Sequence, residues 1–364
     1  MNNGYISSVW DFKDVSITET NYATHDFLRW YGKLIPQLVA RLIKSYSEPG
    51  DLVLANFTGS GTVLLEANIL GRDAIGVDSN PLSILLASVK TNSFTSHSEK
   101  LIKEIATDIE SKNRKNYGGD MSDQKWFYQE SFQDLMAIRE AIQKIKKRSE
   151  RDYCMLALAS IIKKCSKIDA RCVNHIVVDN KKKKVDVIRE FTKKLEEMEV
   201  SMSKYREIAT KSKVEVYKGD ARQTGLQNSS VDLIISHPPY LGAIDYSNIY
   251  QLETKVLGFK YKDVDAEDIS TNSMEKYLKE MRRVFDEMHR VLKNGHYACV
   301  VIGDNRKDGN IQPTFSYFIQ YATEKLRFEL KDIFIWVMSQ KAGMSVKRHG
   351  NHIDHNYILV FKKR

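Results

Sequence analysis

Apolar and polar positions alternate along the chain in two distinct rhythms. From Leu34 to Ile43, Leu34, Leu38 and Leu42 form one apolar row and Ile35, Val39 and Ile43 a second. Both rows have i, i+4 spacing, which predicts an amphipathic helix. Pro49-Gly50 closes that segment. Leu52, Val53 and Leu54 then run apolar without alternation, as in a strand buried on both faces of a parallel sheet. Val63 to Leu70 returns to helical spacing and stops at Gly71. Ala74 to Val77 predicts a second strand, and Pro81 to Val89 a helix on the sheet.

The strand-and-helix rhythm breaks off near residue 95 and resumes at Val214. Strands are predicted in VEVYKGDAR, VDLIISHPPY, HYACVVIGD, DIFIWVMS and NYILVFKK, with helices over 273–292 and 312–326. No helix separates the last two strands, which predicts an antiparallel pair at the edge of the sheet. Between 95 and 212 helical patterns alone recur, over 126–147, 151–164 and 185–208. The expected class is α/β: a Rossmann-like, mostly parallel sheet with an antiparallel edge strand, plus a helical insertion. Three segments follow: 1–94, 95–212 and 213–364. Residues 1–20 read as a polar lead-in.

Composition changes this picture in three ways. The 364 residues carry 56 Lys and Arg against 47 Asp and Glu, a net charge of +9, which suits a polyanionic partner. Part of the excess sits in the helical stretch, as KIKKR (144–148), KK (163–164) and KKKK (181–184). Such runs are either solvated helix faces or phosphate contacts. The four cysteines form no CxxC pair and no metal-ligand spacing with histidine, which suggests free thiols in a reducing cytoplasm. MNNGYISSVWDF has no charged start followed by an apolar stretch, so no secretory leader is expected, and no apolar run reaches membrane-spanning length.

The candidate chemistry gathers where apolar strands stop. Asn56, Asp78, Asp220, His237 and Asp304 all stand at such points, where open α/β sheets bind ligands. Phe57-Thr-Gly-Ser-Gly-Thr62 is a tight turn whose glycines let a ligand approach the backbone. Asp78, one short helix later, can accept hydrogen bonds from two ribose hydroxyls. The turn lacks the third glycine and the lysine of phosphate-gripping loops. A nucleoside without phosphates, such as S-adenosylmethionine, therefore fits better than NAD or ATP.

THDFLRWYGKLIPQLVARLI, NFTGSGT, GVDSNP, YKGDAR and SVDLIISHPPY, in this order, resemble the motifs of the S-adenosylmethionine-dependent DNA amino-methyltransferases, which act on cytosine N4 or adenine N6. The resemblance covers about 21–95 and 213–364. It implies the seven-stranded methyltransferase sheet, duplex DNA as substrate and a restriction–modification setting with a cognate endonuclease. It also implies a cofactor site at Thr24, Lys33, Asn56, Phe57, Gly59, Ser60, Gly61, Thr62, Asp78 and Asp220. The catalytic turn would be Ser236, His237, Pro238, Pro239 and Tyr240, and Tyr240 would stack on an extruded base.

Two positions depart from the family pattern. The glycine loop usually begins Asp-Pro-Phe, whereas here it reads Ala55-Asn56-Phe57. The residue before Pro-Pro-Tyr is usually Ser, Asp or Asn, and here it is His237. A neutral histidine still offers one acceptor nitrogen to a base amine. Cytosine N4 is favoured, because the pattern is closest to members with serine there. The alternatives are adenine N6, an RNA amine such as guanine N2, or a nucleic-acid-binding protein that has lost turnover. A cytosine-C5 mechanism would need a nucleophilic cysteine beside a strand-end proline, and no cysteine follows a proline.

Overall fold

A computed structural model describes residues 8–92, 98–110, 125–169, 172, 175–178, 185–242, 245–259, 269, 271–307, 310–337, 347–348, 351–352 and 355–364. The lysine run 181–184 lies outside the described residues. Eight strands form the main sheet: β1 (Ser8–Asp11), β2 (Leu52–Ala55), β3 (Asp73–Asp78), β4 (Val214–Lys218), β5 (Val231–Ser236), β6 (Leu292–Ile302), β7 (Glu329–Val337) and β8 (His355–Lys362). Their order is β1-β7-β8-β6-β5-β2-β3-β4. β8 runs antiparallel to both β6 and β7, and the other pairs are parallel.

The mixed, mostly parallel α/β class is as the sequence predicts, but two details are corrected. The antiparallel strand is not at the edge; it lies between β6 and β7. The sheet has eight strands rather than seven, because part of the polar lead-in pairs with β7 as β1. That strand is anchored by one residue. Trp10 is 3% exposed, stacks on Phe334 with centroids 4.4 Å apart, and has the Arg41 guanidinium 4.1 Å from its ring centroid.

The central strands divide their side chains between two cores, as the two-residue period requires. Val53, Ala55, Leu233, Ile235, Cys299 and Val301 join one face, and Leu54, Ile234, Val300 and Ile302 the other. On the first face lie α1 (Pro36–Tyr46) and α2 (Thr62–Ile69). All six residues of the predicted α1 rows are buried there. α3 (Pro81–Lys90) follows β3.

The helical stretch supplies α4 (Ser98–Glu110), α5 (Gln129–Gln143), α6 (Arg148–Cys165) and α7 (Val187–Ile208). α6 is buried nearly all round, with Tyr153, Cys154, Leu156, Ala157, Leu158, Ile161 and Ile162 inside. Its core is continuous with Leu82, Leu85, Leu86 and Val89 of α3, so the helices do not close a separate core among the described residues. The same core takes in α8 (Tyr246–Ile249) and α9 (Gln251–Leu257). On the second face of the sheet lie α10 (Met274–Val291) and α11 (Thr314–Gln320). No helix among the described residues is long and apolar enough to cross a membrane.

The charge runs prove to be partly structural. Lys144 pairs with Asp108, Lys147 with Glu150 at 3.1 Å, and Lys164 with Glu190. The Lys163 side chain is only 12% exposed and lies 3.8 Å from buried Glu253, with its ammonium 5.2 Å from the ring centroids of Tyr31 and Tyr250. Lys163 is therefore a packed cation, not a solvated one.

Candidate functional site

The carboxyl ends of β2, β3 and β5 open onto one cleft. The β2–α2 turn forms its first wall. Gly59 and Gly61 have φ of +50° and +74°. At Gly61 a Cβ would also come within 2.9 Å of Ala87 Cβ, so glycine is required there twice over. Several polar groups of the turn are tied. Gly59 N donates to Asp78 Oδ2 at 2.7 Å, and Gly61 N to Thr58 O at 2.8 Å. Ser83 Oγ donates to Gly59 O at 2.8 Å. Lys90, 1% exposed, donates from Nζ to Ser60 O at 2.7 Å. Burial pushes the Lys90 amine well below the usual lysine range, with nearby Lys33 adding to the effect.

Asp78 stands where β3 ends, and its other oxygen accepts from Asn80 N at 2.9 Å. Asn56, 1% exposed, lines the cleft with both side-chain polar atoms lacking any hydrogen-bond partner. A buried amide without partners costs free energy unless a ligand or water satisfies it, so Asn56 fits a polar ligand seated on this turn. Asp220 reaches the same cleft, already gripped by Arg222 through Nε and Nη2 at 2.7–2.9 Å. Burial alone would raise its pKa, but the Arg222 bonds prevail and lower it.

The opposite wall is the turn after β5. His237 and Pro239 line the cleft, and Pro238 is buried behind them. The Pro239 carbonyl accepts from Tyr277 Oη at 2.9 Å. Burial pulls His237 down to about 4, so its ring is neutral near pH 7. Trp30 and Tyr246 complete the wall. With Tyr250 they form a stack, Trp30 to Tyr250 at 4.5 Å and Trp30 to Tyr246 at 5.9 Å between centroids.

The cleft thus gathers Lys33, Asn56, Phe57, Gly59, Ser60, Thr62, Asp78, Asp220, His237 and Pro239 from the expected residues. Lys33 also donates from Nζ to Asn21 Oδ1 at 3.0 Å. The other expected residues stand off the wall. Thr24 is buried and donates to Lys90 O at 2.8 Å. Gly61 caps α2 and packs on α3. Ser236 is fully buried, with an unpartnered hydroxyl. Tyr240 turns its hydroxyl to His237. Below the glycine turn lies a buried group that sequence reasoning missed as a unit. Glu66 accepts from Tyr22 and lies 2.9 Å from His25 Nε2. Burial raises Glu66 to about 7 and lowers His25.

Comparison with known proteins accords with this arrangement. A family model described as DNA methylase matches residues 1–88 and 231–364, together more than half of the chain. The type II methyltransferase M.MjaII of Methanocaldococcus jannaschii is 34% identical over 116 residues, 30% of this chain and 21% of that protein. The type II methyltransferase M.BsoBI of Geobacillus stearothermophilus is 24% identical over 316 residues, 76% of this chain and 61% of that protein. The chain thus spans from about a fifth to about three fifths of these curated relatives. Among solved structures, a SAM-dependent methyltransferase from Methanosarcina mazei is 13% identical with a TM-score of 0.37, covering 88% of this chain and 96% of that one.

Proposed function

The chain belongs to the DNA methylase family, and from that premise we propose that it moves a methyl group from S-adenosylmethionine to an exocyclic amine of a DNA base. We place cytosine N4 ahead of adenine N6. The observation that carries this reading is the single cleft that holds the glycine turn, Asp78 and the His237-Pro-Pro turn together. The cofactor fits the residues present. Asp78 would accept from the ribose hydroxyls, Asn56 would meet polar atoms that its amide now lacks, and Phe57 and Ile269 give apolar walls. When bound, it supplies a methyl group on an electrophilic sulfonium.

The protein's own task is to hold the amine in line for displacement. An exocyclic amine is a poor nucleophile because its lone pair is delocalised into the ring. Two acceptors on its hydrogens draw the nitrogen toward tetrahedral geometry. His237 is one candidate acceptor and the Pro238 carbonyl the other. The expectation that a cognate restriction endonuclease works beside it rests on the family resemblance alone. The proposed DNA-contact role of 95–212 rests on its charge, and the packing of Lys163 narrows the cations that can serve.

The deciding experiment incubates the protein with plasmid DNA and methyl-labelled S-adenosylmethionine, then digests the DNA to nucleosides for mass analysis. N4-methylcytosine is expected. N6-methyladenine would reassign the base. Cofactor binding without label in the DNA would replace the enzyme by a binding protein.

A further inference from the structure

On the Pro-Pro turn, two rings three residues apart are joined by a hydrogen bond. His237 Nε2 lies 3.0 Å from Tyr240 Oη, and the rings meet edge to face at 82° with centroids 5.4 Å apart. Tyr240 is absent from the cleft wall that His237, Pro239 and Tyr246 line. Its ring lies so close to the backbone of Gly303 that a Cβ there would come within 2.7 Å of Cε2. The phenol is thus seated on the fold and directed at the histidine. Burial keeps the imidazole neutral and the phenol protonated. A neutral imidazole carries one N–H and one lone pair, and the partner of one nitrogen decides what the other offers.

We propose that Tyr240 is a positioning residue that fixes the tautomer of His237: Nε2–H donates to the Tyr240 oxygen, and Nδ1 presents its lone pair to the exocyclic amine. The inference rests on the methyl-transfer reading and names the atom that accepts. An exocyclic amine brings only N–H donors to this wall. The opposite tautomer would turn Nδ1–H against them, donor facing donor. A phenol oxygen suits the task because its lone pairs can accept from Nε2–H. This role differs from base stacking, which needs the ring and not the hydroxyl. On this wall the stacked rings open to the cleft are Trp30 and Tyr246.

The test has two readouts on the full chain. In protein labelled with ¹⁵N-histidine, two-bond proton–nitrogen spectra distinguish a protonated ring nitrogen from one with a lone pair, and His237→Asn assigns the signal. Nε2–H is expected in the parent, and a mixture of tautomers in Tyr240→Phe. Nδ1–H in the parent would overturn the proposal. In single-turnover methylation, Tyr240→Phe should be slower by roughly tenfold, the scale of one hydrogen bond, with cofactor affinity unchanged. In a His237→Ser background, where the acceptor has no tautomer, the same substitution should cost less than about twofold. Equal losses in both backgrounds would show that the hydroxyl serves packing alone. If no base is methylated by the parent, the reading on which this rests fails, and the spectra still decide the tautomer.

Discussion

On the glycine-turn wall of the cleft, backbone groups are held by other backbone groups and by ionisable side chains: Gly59 N by Asp78, Ser60 O by buried Lys90. On the facing wall, the Pro-Pro turn is held by two phenols, Tyr277 on the Pro239 carbonyl and Tyr240 on His237. The first wall is fixed before any ligand arrives. The second is fixed by neutral hydroxyls, whose hydrogens rotate and whose bonds are individually weaker. A cofactor site gains from a preset shape, because binding then orders little. A base site that receives an extruded nucleotide gains from an acceptor already aimed at the amine, the part proposed for His237.

The largest expected effect tests how rigid the first wall is. Gly61→Ala would place a methyl group against Ala87 at a positive φ, and should destabilise the fold by about 2–4 kcal/mol. Urea denaturation without ligand measures it; a loss under about 1 kcal/mol would mean that the turn gives way readily. Next, Asp78→Ala removes both the anchor of Gly59 and the proposed ribose acceptor. Cofactor affinity should weaken by roughly 1.5–3 kcal/mol. Calorimetry on folded variant with unchanged affinity would detach Asp78 from the ligand. The smallest effect concerns the second wall. Imidazolium has no lone pair, so protonating His237 removes its acceptor. Because burial lowers that pKa to about 4, the single-turnover rate should stay nearly flat from about pH 8 to pH 5.5 and fall only toward pH 4. A fall centred near the ordinary histidine value, roughly 6.5, would mean that His237 is more solvated than its place in the cleft implies.

The contrast between the walls also marks what the sequence made legible. Repeating patterns were readable: the two rows of α1, the unbroken apolar strands and the polar residues at their ends became helix, sheet and cleft. Isolated anchors were not. β1 has Trp10 as its one buried residue, too little for a periodic signal. Lys90 closes an apolar helix, where a lysine ordinarily faces solvent and the helix dipole; only the packing of Thr24 and Ser60 around it makes it a buried strut. The antiparallel direction of β8 followed from its missing helix, but its place inside the sheet is set by pairing with β6, far away in sequence. Nothing in local spacing sets the Tyr240 ring beside the Gly303 backbone or its hydroxyl 3.0 Å from His237 Nε2.

The position of β8 bears on how the molecule comes together in time. β6 and β7 are joined only through β8, the last of the described strands. β1, the first, pairs with β7, so Ser8 meets Phe334 across nearly the whole described length. Until β7 emerges from the ribosome β1 has no partner, and until β8 follows the β1–β7 pair cannot join the rest of the sheet. Closing so long a loop is entropically slow. The half that carries the glycine turn can assemble early from neighbouring segments, while β6 and β7 wait with open edges. For that interval the nascent chain exposes unpaired strand edges of the kind that invite aggregation or capture by chaperones.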